Sequence, residues 1–315
     1  MNARALDGKA VASEIHGELA SEVGSIVAEG GRRPKLVAVL VGEDPASAAY
    51  VGSKARTCKK VGMLGETLRL PGDSSAERIE STVVELNEDP ETDGILVQLP
   101  LPDHVDERRI LELIAPEKDV DGFHPMNVGR LWAGEAGLAP ATPSGIVEML
   151  KRTGVELKGR HAVIVGRSNI VGKPMAGLLL RQHCTVTICH SRTRHLEKVC
   201  QQADILVAAV GRTAMIGADH VREGAVVIDV GMNKVDDPET LSRLYPADEK
   251  KAARFVKKGY VLTGDVDFHA VAEKAAAITP VPGGVGPLTV AMVVSNTLRA
   301  HRLRVGSVSA VQGTP

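Results

Sequence analysis

Val163-Ile-Val-Gly-Arg-Ser-Asn-Ile-Val-Gly-Lys-Pro174 passes from an apolar run, through two glycines, into a segment opened by proline. The β-branched run reads as a buried strand. Gly166 permits a tight turn. Gly172 opens a helix whose free N–H groups suit a pyrophosphate. The spacing is not G-x-G-x-x-G, and strand–turn–helix is also an ordinary connection in α/β folds, so the turn alone leaves a nucleotide reading open. Outward from it, a strand is expected over His161–Val165 and a helix to about Gln182. Further strands are expected over Thr185–Cys189, Asp204–Ala209 and Ala225–Val230. That βαβ rhythm is the pattern of a dinucleotide-binding domain.

The second of these strands bears on which dinucleotide. An acid about 20 residues past the glycine turn binds a ribose 2′-hydroxyl in NAD-type folds. Here the strand ends Cys189-His-Ser-Arg-Thr193, with no acid, and Arg167 lies in the first turn. Ser191 and Arg192 offer a hydroxyl and a guanidinium, which suit the 2′-phosphate of NADP. An arginine that caps a solvated loop fits the same residues.

Toward the N-terminus, Val11, Ile15, Leu19, Val23 and Ile26 recur at helical spacing until Gly30-Gly31. Leu36–Val41 reads as a buried strand. Asp44-Pro45 reads as an N-cap and first-turn proline of a helix to about Val61. Ser74-x-x-Glu77 reads as a capping box for a helix ending near Asn87. Gly94–Leu99 reads as a strand closed by Pro100. The fold class is α/β with two domains and parallel sheets. A loop-rich stretch, Asp119–Pro143, and a linking helix from Ser144 separate the halves. Residues 235–258 are charged and read as a solvated insertion. Pro287–Leu303 reads as a long helix returning to the first domain, and residues 305–315 as a disordered tail.

The 315 residues suffice for two domains. Aromatics are only 2%, so the cores must be aliphatic, which suits buried parallel strands. A net charge of −1 disfavours nucleic acid or a membrane surface as partner. Cys58, Cys184, Cys189 and Cys200 lack metal-ligand spacing and read as reduced thiols, so no metal is expected and a cytoplasmic location is. The start has no apolar signal segment, and no apolar run approaches spanning length.

Several residues stand out chemically. Tyr50 and Lys54 share a helix face, although such pairs are usually surface contacts. Gln98 ends a strand, where α/β sheets bind ligands, and also where backbone groups need partners. Asp119 and Asp121 lie in Lys118-Asp-Val-Asp-Gly-Phe-His-Pro125 and fit turn formers equally. Pro280-Val-Pro-Gly-Gly-Val-Gly-Pro287 precedes a helix, and its glycines allow close backbone approach. Spacing does not join these into one site.

Taken together the strings decide more. Tyr50-x-x-x-Lys54, Gln98-Leu-Pro-Leu-Pro102, Lys118-Asp-Val-Asp-Gly-Phe123, Gly166-Arg-Ser-x-x-Val-Gly-x-Pro174, Gly264-Asp-Val-Asp-Phe268 and Pro282-Gly-Gly-Val-Gly-Pro287 occur in that order. The set resembles the methylenetetrahydrofolate dehydrogenase/cyclohydrolase family over about residues 3 to 300. The resemblance implies an N-terminal catalytic domain, 1–140, completed by 280–304, with a Rossmann-like NADP-binding domain, 141–279, inserted between. It implies that tetrahydrofolate derivatives bind in the cleft between the domains. Lys54 would be the central catalytic residue, with Tyr50 and Gln98 beside it. Tyr50 would stack on the aminobenzoyl ring, Asp121 would bond the pterin, and Pro282, Gly283 and Gly284 would line the cleft. Gly166, Arg167, Ser168, Gly172, Ser191, Arg192 and the backbone at Met232 would hold NADP. A homodimer through the NADP-binding domain would be expected.

The chain departs from the family pattern at Leu288, where Met is usual, and at Gly211-Arg-Thr213, where Gly-Lys-Pro is usual near the nicotinamide. The 235–258 stretch is longer than typical, and His269-Ala270 also varies. Three rivals are a dehydrogenase without cyclohydrolase, an unrelated two-domain dehydrogenase, and a non-catalytic folate or nucleotide sensor. The presence of Lys54, Gln98 and Asp121 argues against the first and third, and the Pro282 string against the second.

Overall fold

The computed structural model describes residues 3–246 and 248–312. The first elements are β1 (Arg4–Ala5), α1 (Gly8–Ala28), β2 (Lys35–Val41), α2 (Pro45–Lys60), β3 (Leu64–Leu70), α3 (Ala76–Glu88), β4 (Gly94–Val97), α4 (Glu107–Leu113), α5 (Pro125–Ala133) and α6 (Ala141–Arg152). There follow β5 (His161–Val165), α7 (Gly172–Arg181), β6 (Thr185–Cys189), α8 (Leu196–Cys200), β7 (Ile205–Ala208) and, after a short 3-10 turn, β8 (Val226–Asp229). The last are β9 (Asn233–Val235), α9 (Pro238–Leu244), α10 (Glu249–Lys258), β10 (Val261–Thr263), α11 (Phe268–Ala272), β11 (Ala277–Ile278) and α12 (Val285–Gln312).

These elements form two units. One comprises Met1–Val11 with Thr142–Leu288, the other Ala12–Ala141 with Thr289–Pro315. The division differs from 1–140 plus 280–304 against 141–279 in a physical way. Strand β1 pairs in parallel with β11, Arg4 opposite Ala277, so the first residues belong to the larger sheet. Gly8 also packs on the 280–284 loop so closely that a Cβ there would stand 1.6 Å from Gly284 O.

In the first of these units six parallel strands run in the order β1-β11-β8-β7-β5-β6. Leaving aside β1, this is the 2-1-3-4-5 order of a doubly wound sheet, with its switch point between β5 and β7. Val163, Val165, Leu206, Ala208 and Val227 are at most 1% exposed and pack with Val271 and Ile278 into the core. Short aliphatic strands covered on both faces explain why the chain needs few aromatic residues.

In the other unit β3-β2-β4 form a parallel sheet, with Val39 opposite Val97. Val39, Ile79, Val83, Ile95, Val97 and Ile110 form its core. Helix α2 starts as expected: Asp44 accepts from Ser47 N, and Pro45 occupies the first turn. Helix α3 starts one residue later than the capping-box reading, because Ser75 rather than Ser74 accepts from Arg78 N.

Several differences have local causes. Within the stretch read as loop, His124 caps the short helix α5 through Met126 N, and Gly134 ends it at φ +78°. The charged insertion is ordered as well as solvated. Strands β9 and β10 pair antiparallel, and Val235, Leu241 and Val261 bury a small core with Tyr245 and Phe255. No residue of helix α10 is fully buried, and Phe255 is the hydrophobic side chain it lends to this core. Helix α12 continues through Gln312 where a disordered tail was expected, since no proline interrupts 305–312. The rest of that tail, 313–315, lies outside the described residues.

Candidate active site and cofactor crevice

Helix α2 places Tyr50 and Lys54 one turn apart on one face. That face is not a surface: Lys54 is 3% exposed. Its Nζ donates to Gln98 Oε1 at 3.1 Å and stands 4.7 Å from the centre of the Tyr50 ring. Gln98 follows β4 and is fixed from both sides. Its N–H donates to Val39 O at 2.9 Å, and its Nε2 donates to Leu99 O at 2.7 Å. The amide oxygen is thereby aimed at the amine. The Tyr50 hydroxyl bonds Thr289, and burial pushes the phenol up to about 12, so it stays protonated.

Burial lowers the Lys54 ammonium from its ordinary value, while Asp121 works against that shift. The Asp121 carboxyl is itself raised to about 6, chiefly by burial, with Lys54 opposing and Asp119 adding to the rise. The site thus pairs an amine whose charged form burial disfavours with a weakened acid, and an uncharged amide holds the amine. Perturbed, buried groups of this kind are suited to proton transfer.

Asp119 has a different task from Asp121. It is 2% exposed and accepts from Gly122 N, His124 N and Asn127 Nδ2 at 3.1, 2.8 and 2.9 Å. It is the turn former that shapes the loop presenting Asp121. Gly122, at φ +75°, has no room for a Cβ, which would stand 2.5 Å from Pro140 N.

The residues expected to hold the cofactor gather in the unit built on the six-stranded sheet. Val165 pairs with Cys189, and Gly166 N donates to Cys189 O at 2.9 Å. The turn carrying Gly166, Arg167 and Ser168 and the loop carrying Ser191 and Arg192 therefore leave adjacent strands at the same end. Strands β7 and β8 end there too, so Met232 follows at the same edge. Ser168 Oγ accepts from Val171 N at 3.1 Å and Gly172 N at 3.3 Å, tying the turn to the start of α7. Gly166 sits at φ +133°, and a Cβ on it would stand 2.1 Å from Ala209 O. At Gly172 a Cβ would stand 2.2 Å from Gly166 O. Both glycines are needed for backbone to pass against backbone at the switch point.

Pro282, Gly283 and Gly284 follow β11 in this same unit. Gly283 has φ +116°, and Gly284 N donates to Pro280 O at 2.8 Å. The spacing of 280–287 serves close packing against Gly8, as well as any ligand.

Residues 6–121 match the family model described as tetrahydrofolate dehydrogenase/cyclohydrolase, catalytic domain. Residues 140–305 match the one described as its NAD(P)-binding domain. The chain belongs to the tetrahydrofolate dehydrogenase/cyclohydrolase family. It is similar to the bifunctional protein FolD of Solibacter usitatus, 52% identical over 303 residues, covering 96% of this chain and 99% of that protein. It is 51% identical to the bifunctional protein FolD of Moorella thermoacetica, over 96% of this chain and all of that one. Among solved structures, the bifunctional FolD methylenetetrahydrofolate dehydrogenase/cyclohydrolase of Campylobacter jejuni is 40% identical with a TM-score of 0.86, covering 96% of this chain and 99% of that one. The Trypanosoma brucei dehydrogenase-cyclohydrolase, solved with NADP cofactor and an inhibitor, is 38% identical with a TM-score of 0.86, over 96% and 98% of the two chains. The chain is accordingly a dehydrogenase and cyclohydrolase of folate one-carbon metabolism, with an NAD(P)-binding domain.

The family's cofactor fits the residues present. A doubly wound sheet with a switch-point crevice, a glycine turn into α7 and two arginines at the crevice mouth suit a phosphorylated dinucleotide. The sequence reading did not foresee Thr289 or the buried acids Asp229 and Asp265. Thr289 follows Leu288 in the last helix, where nothing in its spacing marks it. The two acids were visible only as an acid ending an apolar strand and as part of the Gly264-Asp-Val-Asp-Phe268 string.

Proposed function

We propose that the chain oxidises 5,10-methylenetetrahydrofolate to the 5,10-methenyl cation with NADP and hydrolyses that cation to 10-formyltetrahydrofolate, Lys54 serving the hydrolysis. NADP accepts the hydride. The protein's part in that step is positioning, since no proton need leave. Gly166, Arg167, Ser168, Gly172, Ser191, Arg192 and Met232 hold the dinucleotide, and the absence of an acid after β6 supports NADP over NAD. In the hydrolysis, water adds to the cationic carbon. One of its protons ends on the ring nitrogen released as the ring opens, and the other leaves to solvent. Lys54, uncharged, takes the first proton and returns it to that nitrogen. Gln98 orients the amine without a charge that would hold it as ammonium. Asp121 bonds the pterin and Tyr50 stacks on the aminobenzoyl ring.

The observation that carries this reading is the buried Lys54 amine held on Gln98 Oε1, its pKa lowered by burial. Reduced cofactor and methenyl absorbance followed together on 5,10-methylenetetrahydrofolate and NADP test it. Reduced cofactor should appear with little methenyl build-up, and silence with both NADP and NAD would overturn it.

Two further points belong to this reading. The protein is a homodimer through the NADP-binding unit, supported by the edge strand β6, where Ile188 is 37% exposed beside exposed Leu180. A single-chain mass by sedimentation would contradict that. It works in the cytoplasm, supported by four free thiols. Among the described residues no helix is long and apolar enough to cross a membrane.

A further inference from the structure

Asp265 is completely buried and lies far in sequence from the groups it binds. Its Oδ2 accepts from Val210 N at 2.6 Å and Gly211 N at 3.0 Å. Its Oδ1 accepts from Arg212 N at 2.9 Å and Asn233 Nδ2 at 2.8 Å. One carboxylate thus joins two loops: 209–213, which leaves β7, and 230–233, which leaves β8. The first of these packs directly against the glycine turn at the switch point, where a Cβ on Gly166 would stand 2.1 Å from Ala209 O. The second carries Met232.

Asp265 is in turn held in place. Asp229, at the end of β8, accepts from Asp265 N at 2.8 Å, Val266 N at 3.0 Å and Gly231 N at 2.9 Å. The approach is so close that a Cβ on Gly264 would stand 1.7 Å from Asp229 Oδ2, and one on Gly231 2.3 Å from Asp265 Oδ1. Backbone bonds extend the strap, from Ala214 N to Gly264 O at 3.1 Å and from Ile216 N to Asp265 O at 2.9 Å. The two aspartates therefore form a relay from the sheet, through 264–266, to the loop packed on the glycine turn.

We propose that Asp265 is a positioning residue for hydride transfer, fixing the 210–212 and 232–233 loops against which the cofactor lies. The proposal rests on the dehydrogenase reading above and adds a residue to it. The contacts to 210–212 are all to backbone N–H groups. They do not depend on the side chains at 212 and 213, so Arg212-Thr213 in place of the family's usual pair leaves them intact. It also assigns the Gly264-Asp-Val-Asp-Phe268 string a task separate from that of Lys54.

The test is Asp265→Asn, which turns one acceptor oxygen into an amide facing N–H groups that already donate. A misplacement of about 1 Å costs on the order of 100-fold in a reaction that depends on geometry. The dehydrogenase kcat/KM for NADP should fall by about that factor, with the NADP KM raised and the KM for methylenetetrahydrofolate little changed. Cyclohydrolase, assayed without cofactor on the methenyl compound, should stay within about twofold of the parent. Asn233→Ala, which removes a single donor, should show the same split more weakly, and it decides the matter if Asp265→Asn does not fold. Parallel loss of both activities, or an unchanged dehydrogenase, in a folded variant would overturn the proposal. A parent chain without dehydrogenase activity would instead overturn the reading beneath it.

Discussion

Single side chains carry the chemistry, and their environments decide what each does. Lys54 and Lys118 are both buried lysines. Lys118 Nζ is consumed by the carbonyls of Leu86, Asn87 and Asp89, at 3.0, 2.7 and 2.8 Å, where it closes the end of α3. Lys54 meets one side-chain amide and an aromatic face, so its amine stays available. On the proposed reading Arg192 meets the 2′-phosphate of NADP. Replacing it with alanine should raise the NADP KM by about tenfold or more, the value of one charge-assisted phosphate contact, while the folate KM barely moves. Steady-state kinetics with each substrate varied checks this, and equal rises in both constants would remove the phosphate assignment. Much of this scale was legible in the sequence. The i, i+4 pair of Tyr50 and Lys54 does share a face. That Gln98 meets Lys54 was not legible from spacing, because 44 residues separate them. Asp265 was hidden for a related reason: its partners are mostly backbone groups, which no residue type announces.

At the scale of elements, strand ends and helix ends do most of the positioning. The strands found from sequence were β2, β4, β5, β7 and β8, whose residues are nearly all buried, and the edge strand β6, found by its place in the βαβ rhythm although it is partly exposed. Strand β3 was missed because Leu64–Leu70 is mostly exposed and alternates weakly. Helix α12 is fastened by a polar cluster that periodicity does not reveal. Asp93 is fully buried and takes both ends of the Arg32 guanidinium at 2.7 Å, Lys35 N at 2.9 Å and Arg304 Nη1 at 3.2 Å. His301 Nδ1 lies 3.2 Å away. Burial alone would raise this carboxyl, but His301 and Arg32 bring it down to about 2. A depressed acid stabilises the fold fully above its unfolded value, near 4, and loses that contribution as pH falls through about 2. Asp93→Asn should cost about 2 kcal/mol at neutral pH, less than a fully buried pair because Arg32 and Arg304 keep partial contact with water. Its stability should then fall less steeply than the parent's between about pH 4 and pH 2. Urea unfolding across that range measures both, and parallel curves would show that Asp93 is not the titrating anchor.

For the molecule as a whole, the chain divides its labour between two units in an interleaved order. Near the N-terminus, Arg4 and Ala5 join the sheet of the cofactor unit as β1, and from Thr289 the last helix returns to the unit that holds Lys54. The alternation of strands and helices foretold two α/β units. It did not foretell where the chain crosses, because two-residue strands such as β1 and β11 are too short to have a period. The insertion carrying α9 and α10 was also underestimated. Its charge is real, but Lys251 Nζ sits 3.4 Å from the Tyr245 ring centre and 3.4 Å from Val281 O, so it packs on the 280–284 loop.

On the proposed mechanism one chain performs two reactions and Lys54 is needed for only one of them. The most direct measurement is Lys54→Gln on 5,10-methylenetetrahydrofolate and NADP, with reduced cofactor and methenyl absorbance recorded together. Reduced cofactor should still form while the methenyl compound accumulates instead of passing on. Equal loss of both signals in a folded variant would contradict it.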